Sequence, residues 1–230
     1  MTPKGSMKKF PHCVSKAGPS RLSGVGNYLL PVYPSVGREP VFGVWGMDSH
    51  DGMTEFAERH GKSEPVKMLH PFAGGHGSYD SVDIEQVMWY YLVSKEIEKR
   101  YGRKLPSLMY AHIPLPEYEI IVHNKDDTHF FGYHDEDVAC TALNPGLFRA
   151  IVERGDVRAF FCGHDHWNDW QAEYLGIKLG YDASMSYHAC QNNLLRGGRI
   201  FEVNESDPWN IATETIKIRD IMGHAGDSDE

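Results

Sequence analysis

Long apolar runs are missing from this 230-residue chain. Nowhere does it approach the roughly 18 uninterrupted apolar residues of a membrane-spanning helix, so a membrane is not an expected partner. The start, MTPKGSMKKF, is basic but has no apolar stretch behind it, so it does not read as a secretory signal. Positive charge is scarce. Lys and Arg number 23 against 32 acidic residues, a net charge of −9, which argues against a nucleic-acid backbone as the main partner. A small anion would need metals or helix N-termini to enter so acidic a protein. Cysteine is scarce too: Cys13, Cys140, Cys162 and Cys190 lie far apart. They form no C-x-x-C pair, which removes the zinc knuckle, and they do not suit a disulfide framework. Reduced thiols favour a cytoplasmic setting. The 41% apolar content is that of a soluble globular chain, and 230 residues can build one domain with a full core.

Beyond an irregular lead-in to about residue 23, Val25–Pro34 and Pro40–Asp48 read as strands joined by a Pro/Gly turn. Residues 49–80 read as loop. Ile84, Val87, Met88, Tyr91 and Leu92 recur at helical spacing, predicting a helix over 84–102 with this stripe as its core face. Ser107–Pro114 is a buried strand, and 116–143 a long polar loop. In NPGLFRAIVERG, Asn144 is a candidate cap, Pro145 suits the first helical position and Gly155 can close the helix. A strand over 157–162 follows. Shorter strands are predicted at GIKLGY, GRIFEV and ETIKIRDI. Alternating helix and strand argues for an α/β fold.

The segment FFCGHDHWNDW, Phe160 to Trp170, carries the chemistry. With 13 histidines in the chain, about one H-x-H pair is expected by chance, so the bare pattern is weak. Its context is stronger. His164 and His166 follow an apolar strand and Gly163, at the carboxyl end where α/β proteins place ligands. In extended chain, residues i and i+2 point the same way. His112 ends the strand over 107–114, and a helical crossover would make the two strands parallel. All three imidazoles would then meet at one rim and suit a divalent metal in their neutral form. Taken alone, His112 reads more readily as a hydrogen-bonded core or turn residue than as a ligand. Asp165, Asn168, Asp169 and His134 are candidates for contacting substrate or supporting the ligands. His123, His129 and His188 read as solvated loop residues, and so does His134 on composition alone. Asp48 and His50 form a further D-x-H pair after a strand, although DTH at Asp127–His129 shows how readily that pattern arises.

HIPLPEY (112–118) together with GHDHWND (163–169) resembles the calcineurin-like metallophosphoesterases, in their purple acid phosphatase-like branch. GVGNYLLPV, MDSHDG, IEQVMWY, ALNPGLFRAI and GDVRAFFCGHDH fall in the order expected of that branch. The resemblance implies a four-layer α/β/β/α sandwich and a site with two metal ions drawn from iron, zinc and manganese. By that resemblance His112 and His164 bind one metal and His166 the other. A hydroxide between the metals attacks the phosphorus of a phosphorylated small molecule or phosphoprotein.

The family's N-terminal D-x-H, G-D and G-N-H-D/E motifs do not occur as an ordered set, so the chain corresponds to the carboxyl half of the fold. D-S-G-D becomes DSHD, and GYDASMSYHAC (180–190) replaces a glycine-rich stretch. Neutral imidazoles cancel none of the charge of two divalent ions, and without a bridging carboxylate two close cations repel. One weakly held metal and impaired hydrolysis are therefore expected. Two other readings compete: a truncated, non-catalytic relative acting as a binding protein, and a mononuclear H-x-H oxygenase. The oxygenase needs a glutamate a few residues after the pair, whereas the nearest, Glu173, lies seven beyond His166.

Overall fold

A computed structural model describes residues 10–61, 79–186 and 194–222. Six strands form one mixed sheet in the order β1-β2-β3-β4-β6-β5. They are β1 (Tyr28–Val32), β2 (Phe42–Gly46), β3 (Ser107–Tyr110), β4 (Val157–Cys162), β5 (Gln171–Tyr174) and β6 (Ile177–Tyr181). The β2, β3, β4 and β6 strands run parallel, while β1 and β5 pair antiparallel at the edges. The β3–β4 pairing is parallel, as the crossover argument required, and brings both carboxyl ends to one rim.

The central strand VRAFFC is buried on both faces, as parallel sheets demand. Phe160 points into the larger core with Trp45, Tyr118 and Trp170, under helices α2 (Ile84–Tyr101) and α4 (Leu147–Arg154). Phe161 points the other way. It meets Phe201 edge-on at 4.7 Å on the ribbon made by β7 (Gly197–Asn204) and β8 (Asp207–Lys217). Full burial of side chains this size stabilises by about 1.5–3 kcal/mol each. Among the described residues this gives a helix layer, a sheet and a two-stranded ribbon.

Several elements depart from the sequence expectation. Met53–Arg59 forms a short helix, α1, inside the predicted loop; residues 62–78 of that loop lie outside the described residues. The polar loop over 116–143 contains helix α3 (Glu117–His123) and a 3-10 turn at Lys125–Asp127. Its start at Pro116 follows the rule that proline fits a first turn. The β5 strand was not anticipated. The last strand stops at Lys217, and Ile218–Met222 turns into a helix, α5. Asn144 accepts from the Gly146 amide at 2.8 Å, but Gly146, left-handed at φ 84°, is the residue that starts the helix. Gly155 ends it at φ 64°, as predicted.

The stripe on α2 is rotated: Val87 and Tyr91 pack against the core as predicted, but its other three residues do not. Ile84, Met88 and Leu92 are 66%, 56% and 59% exposed, while Gln86, Tyr90 and Ser94 are buried. The reason is polar satisfaction. Tyr90 and Ser94 each donate at 2.5 Å to the buried carboxylate of Asp156, and Arg154 donates to Ser94 at 2.8 Å. Gln86 donates to Asn27 and to the Asp48 carbonyl, both at 2.7 Å. Leaving such groups unpaired in the core would cost about 1–3 kcal/mol each, which offsets the exposure of three apolar side chains.

Candidate metal centre

The carboxyl ends of β3 and β4 carry the site. Ser49 fixes the first, its hydroxyl accepting from the His112 and Ile113 amides at 3.2 and 3.0 Å. The second ends in a tight turn. The Asp165 amide donates to the Gly163 carbonyl at 2.9 Å, closing a three-residue loop over His164, whose φ is 76°. That turn is rare and strained for a residue with a side chain. The segment is therefore not the extended chain the sequence suggested. The turn swings the His164 ring toward β3.

His112 Nε2 and His164 Nδ1 face each other at 3.4 Å, with ring centroids 5.1 Å apart. Two zinc–nitrogen bonds of about 2.0–2.1 Å at a tetrahedral angle place their nitrogens at about that separation. Tyr79 packs edge-on against His164 at 4.2 Å. His166 lines the same cavity, of about 410 Å³, with Glu136 and Asp137. Burial, and then the charge of His166, lower the pKa of His112 below its usual 6.5; Asp51 opposes the shift. Among the described residues, no three His, Cys, Asp or Glu side chains are grouped tightly enough to enclose an ion. One facing pair thus has a two-ligand spacing, and His166, Glu136 and Asp137 are further donors lining the same cavity.

The other predicted residues are placed as follows. Asp165 turns inward, accepting from the Tyr181 hydroxyl and from the Ala139 amide at 3.2 Å. Burial raises its pKa to about 7, against the pull of those bonds. It holds the turn from beneath. Asn168 accepts from the Asp135 amide at 3.0 Å and donates to the Glu136 carbonyl at 3.0 Å, which fixes the loop carrying Glu136 and Asp137. Asp169 accepts from the Tyr133 amide at 2.7 Å and pairs with Lys217. His134 lies beside Lys125 at 3.1 Å and is not in the cavity lining.

Asp48 uses one oxygen on the Val25 amide and the other on the His50 amide at 2.9 Å. His50 points toward α2, 3.2 Å from Gln86 and 3.6 Å from Asp83. His123 and His129 are exposed, while His188 lies outside the described residues. Sequence reasoning missed Tyr79, Glu136 and Asp137, which reach the cavity from loops with no periodic signal.

A mixed α/β sheet with histidines converging at the carboxyl rim of adjacent parallel strands defines the class. The comparisons narrow it: the chain is a relative of the purple acid phosphatase-like proteins. It is 32% identical over 205 residues to "Probable inactive purple acid phosphatase 14" of Arabidopsis thaliana, covering 82% of this chain and 47% of that protein. It is 29% identical over 196 residues to "Probable inactive purple acid phosphatase 29" of the same plant, covering 79% of this chain and 45% of that protein. Against "Phosphatase DCR2" of Saccharomyces cerevisiae it is 29% identical over 153 residues, 64% of this chain and 23% of the yeast protein. The chain thus spans about half the length of the plant relatives it matches, and less of the yeast one. No family model matches the chain, and no solved structure does.

Proposed function

We propose that this chain carries the histidine side of a metal-dependent phosphoesterase site. Its substrates would be phosphomonoesters or phosphoproteins. The observation that carries the reading is the 3.4 Å approach of His112 Nε2 to His164 Nδ1, the separation of two ligands on one ion. His112 and His164 would hold a divalent cation of the iron, zinc or manganese kind, with His166 alongside. Such an ion would polarise a phosphoryl oxygen and lower the pKa of bound water. Charge supports this. The cavity lining includes Glu136 and Asp137 but no Lys or Arg, so a phosphate dianion would be repelled without a cation. The finer architecture, a four-layer sandwich, is part of the same proposal. Leu30 and Val44 are only partly covered beside the ribbon, and Val32 is 45% exposed, so a second sheet could extend over them.

A second reading has its own support. The plant relatives are named as probably inactive, and the facing pair falls short of a closed ligand set. A non-catalytic protein that binds a cation or partner would show both features. Titration of zinc and manganese into the chain, with hydrolysis of 4-nitrophenyl phosphate measured alongside, separates the two. Metal binding and hydrolysis that are both lost in His164→Ala support the phosphoesterase. Metal binding with hydrolysis no faster than in His164→Ala supports the non-catalytic reading. No metal binding sinks the metal centre itself.

A further inference from the structure

The strand that carries His112 loses its backbone partner just before it reaches the site. The Met47 amide donates to the Tyr110 carbonyl at 2.8 Å, and there the β2–β3 ladder ends. Beyond it the buried Ser49 hydroxyl stands in for a strand and accepts from the His112 and Ile113 amides. Ser49 does this only while residues 48–50 keep their course, and that course is strained, because His50 is left-handed at φ 60°. What holds it is a side chain of α2. Gln86, fully buried, commits both its donors and both its acceptor positions here. Its amide nitrogen donates to the Asp48 carbonyl and to Asn27 Oδ1, both at 2.7 Å. Asn27 Oδ1 in turn accepts from the Asp48 amide at 3.1 Å. The Gln86 oxygen accepts from the Asp83 amide at 2.6 Å and lies 3.2 Å from His50 Nε2. Since that oxygen is an acceptor, His50 donates from Nε2.

We propose that Gln86 is a positioning residue for the metal centre. Through Asp48 and His50 it sets Ser49, and through Ser49 it sets the backbone of His112. The inference rests on the metal-centre reading of the His112–His164 pair and adds a residue that touches neither histidine. The path is short. The Asp48 carbonyl belongs to the planar peptide group that leads into Ser49, so a bond to it fixes the plane from which the Ser49 side chain rises. The amides that Ser49 receives are those of His112 itself and of the next residue. An imidazole on a backbone so held keeps its Nε2 at 3.4 Å from His164 Nδ1. Drift of an ångström would carry one nitrogen beyond the roughly 2.0–2.1 Å of a zinc–nitrogen bond. No apolar side chain can donate to the Asp48 carbonyl and also receive the Asp83 amide, so replacing Gln86 by one strands both groups.

The test compares two buried positions on one helix. Gln86→Leu keeps the bulk and removes every one of these bonds. Tyr90→Phe, one turn on, removes a bond to Asp156, away from the loop. Zinc affinity is measured by calorimetry, and amide hydrogen exchange by NMR, with thermal melting to rank the loss of stability. In Gln86→Leu zinc should bind at least tenfold more weakly, as when a supporting group behind a metal ligand is lost. The His112 and Ile113 amides should exchange at least tenfold faster, while that of Met109, on the same strand, keeps its protection. Tyr90→Phe should lower the melting temperature and change neither readout. Should Gln86→Leu not fold, Gln86→Glu takes its place with the same expectations, because a carboxyl group cannot supply both donors, to Asp48 and to Asn27. Effects smaller than these, or equal effects of Tyr90→Phe, overturn the proposal. A parent chain that binds no zinc removes the metal-centre reading instead, and the two amides still decide whether Gln86 holds Ser49.

Discussion

His164 reaches to within 3.4 Å of His112 because its own backbone is left-handed at φ 76°. A strained φ on a residue with a side chain persists only where the surroundings enforce it. Here Asp165, fastened to Tyr181 and Ala139, supplies the enforcement.

Zinc should bind to this pair with a distinctive pH profile. Burial, followed by the charge of His166, depresses the pKa of His112 below 6.5. A depressed pKa keeps the imidazole neutral to lower pH, so protons compete only below that value. Calorimetric zinc affinity should be flat from pH 8 to 6.5 and fall beneath it, with the midpoint under 6.5. His112→Ala should weaken binding at least tenfold. A midpoint above 6.5 would mean that a ligand other than His112 limits binding.

The Asp169–Lys217 pair ties the end of β8 to the turn after the histidines, and both side chains are buried. Removing one partner strands the other charge. Asp169→Ala should cost about 3–5 kcal/mol, read by urea unfolding. Asp169→Asn with Lys217→Met should recover most of that loss, since no unpaired charge then remains. Asparagine keeps an acceptor for the Tyr133 amide, so equal losses in the single and double variants would show that the stranded charge is not the cause.

The meeting of His112 and His164 was legible because a strand, a glycine and a spaced pair mark a rim, and strand direction follows from a helical crossover. The parallel β3–β4 pairing bears out that inference. How the ring of His164 arrives was not legible, because a γ-type turn leaves no periodic signature. Glu136 and Asp137 sit in a loop whose path is set by Asn168, thirty residues on. The α2 helix shows the opposite failure. Its period was readable, and Val87 and Tyr91 do face the core, but the rotation that buries Tyr90 and Ser94 was not, because it was chosen by Asp156, a partner distant in sequence.

That rotation has a consequence for stability. With Leu92 59% exposed, Leu92→Lys should change the unfolding free energy by no more than about 0.5 kcal/mol. Tyr90→Phe, at the buried position two residues earlier, removes the donor to Asp156 and should cost about 1–3 kcal/mol. If Leu92 proved the costlier site, the apolar stripe would be the core face after all.

Asp182 gives the chain an acid-side dependence of its own. It follows β6, and burial raises its pKa from the usual 3.8 to about 6, with Arg199 pulling it down. Between those two values the folded chain holds a proton that the unfolded chain has released. Stability therefore falls as pH rises from about 4 to 6, and this group adds no further change above that. Asparagine cannot ionise, so Asp182→Asn should lack this fall. Arg199 still donates to the carbonyls of Asp169 and Tyr181 at 2.6 and 2.9 Å, so its place does not depend on Asp182. The variant should gain on the parent by roughly 2 kcal/mol between pH 4 and 7, measured by urea unfolding at each pH. Parallel profiles for the two proteins would mean that the carboxyl of Asp182 is solvated in the folded state.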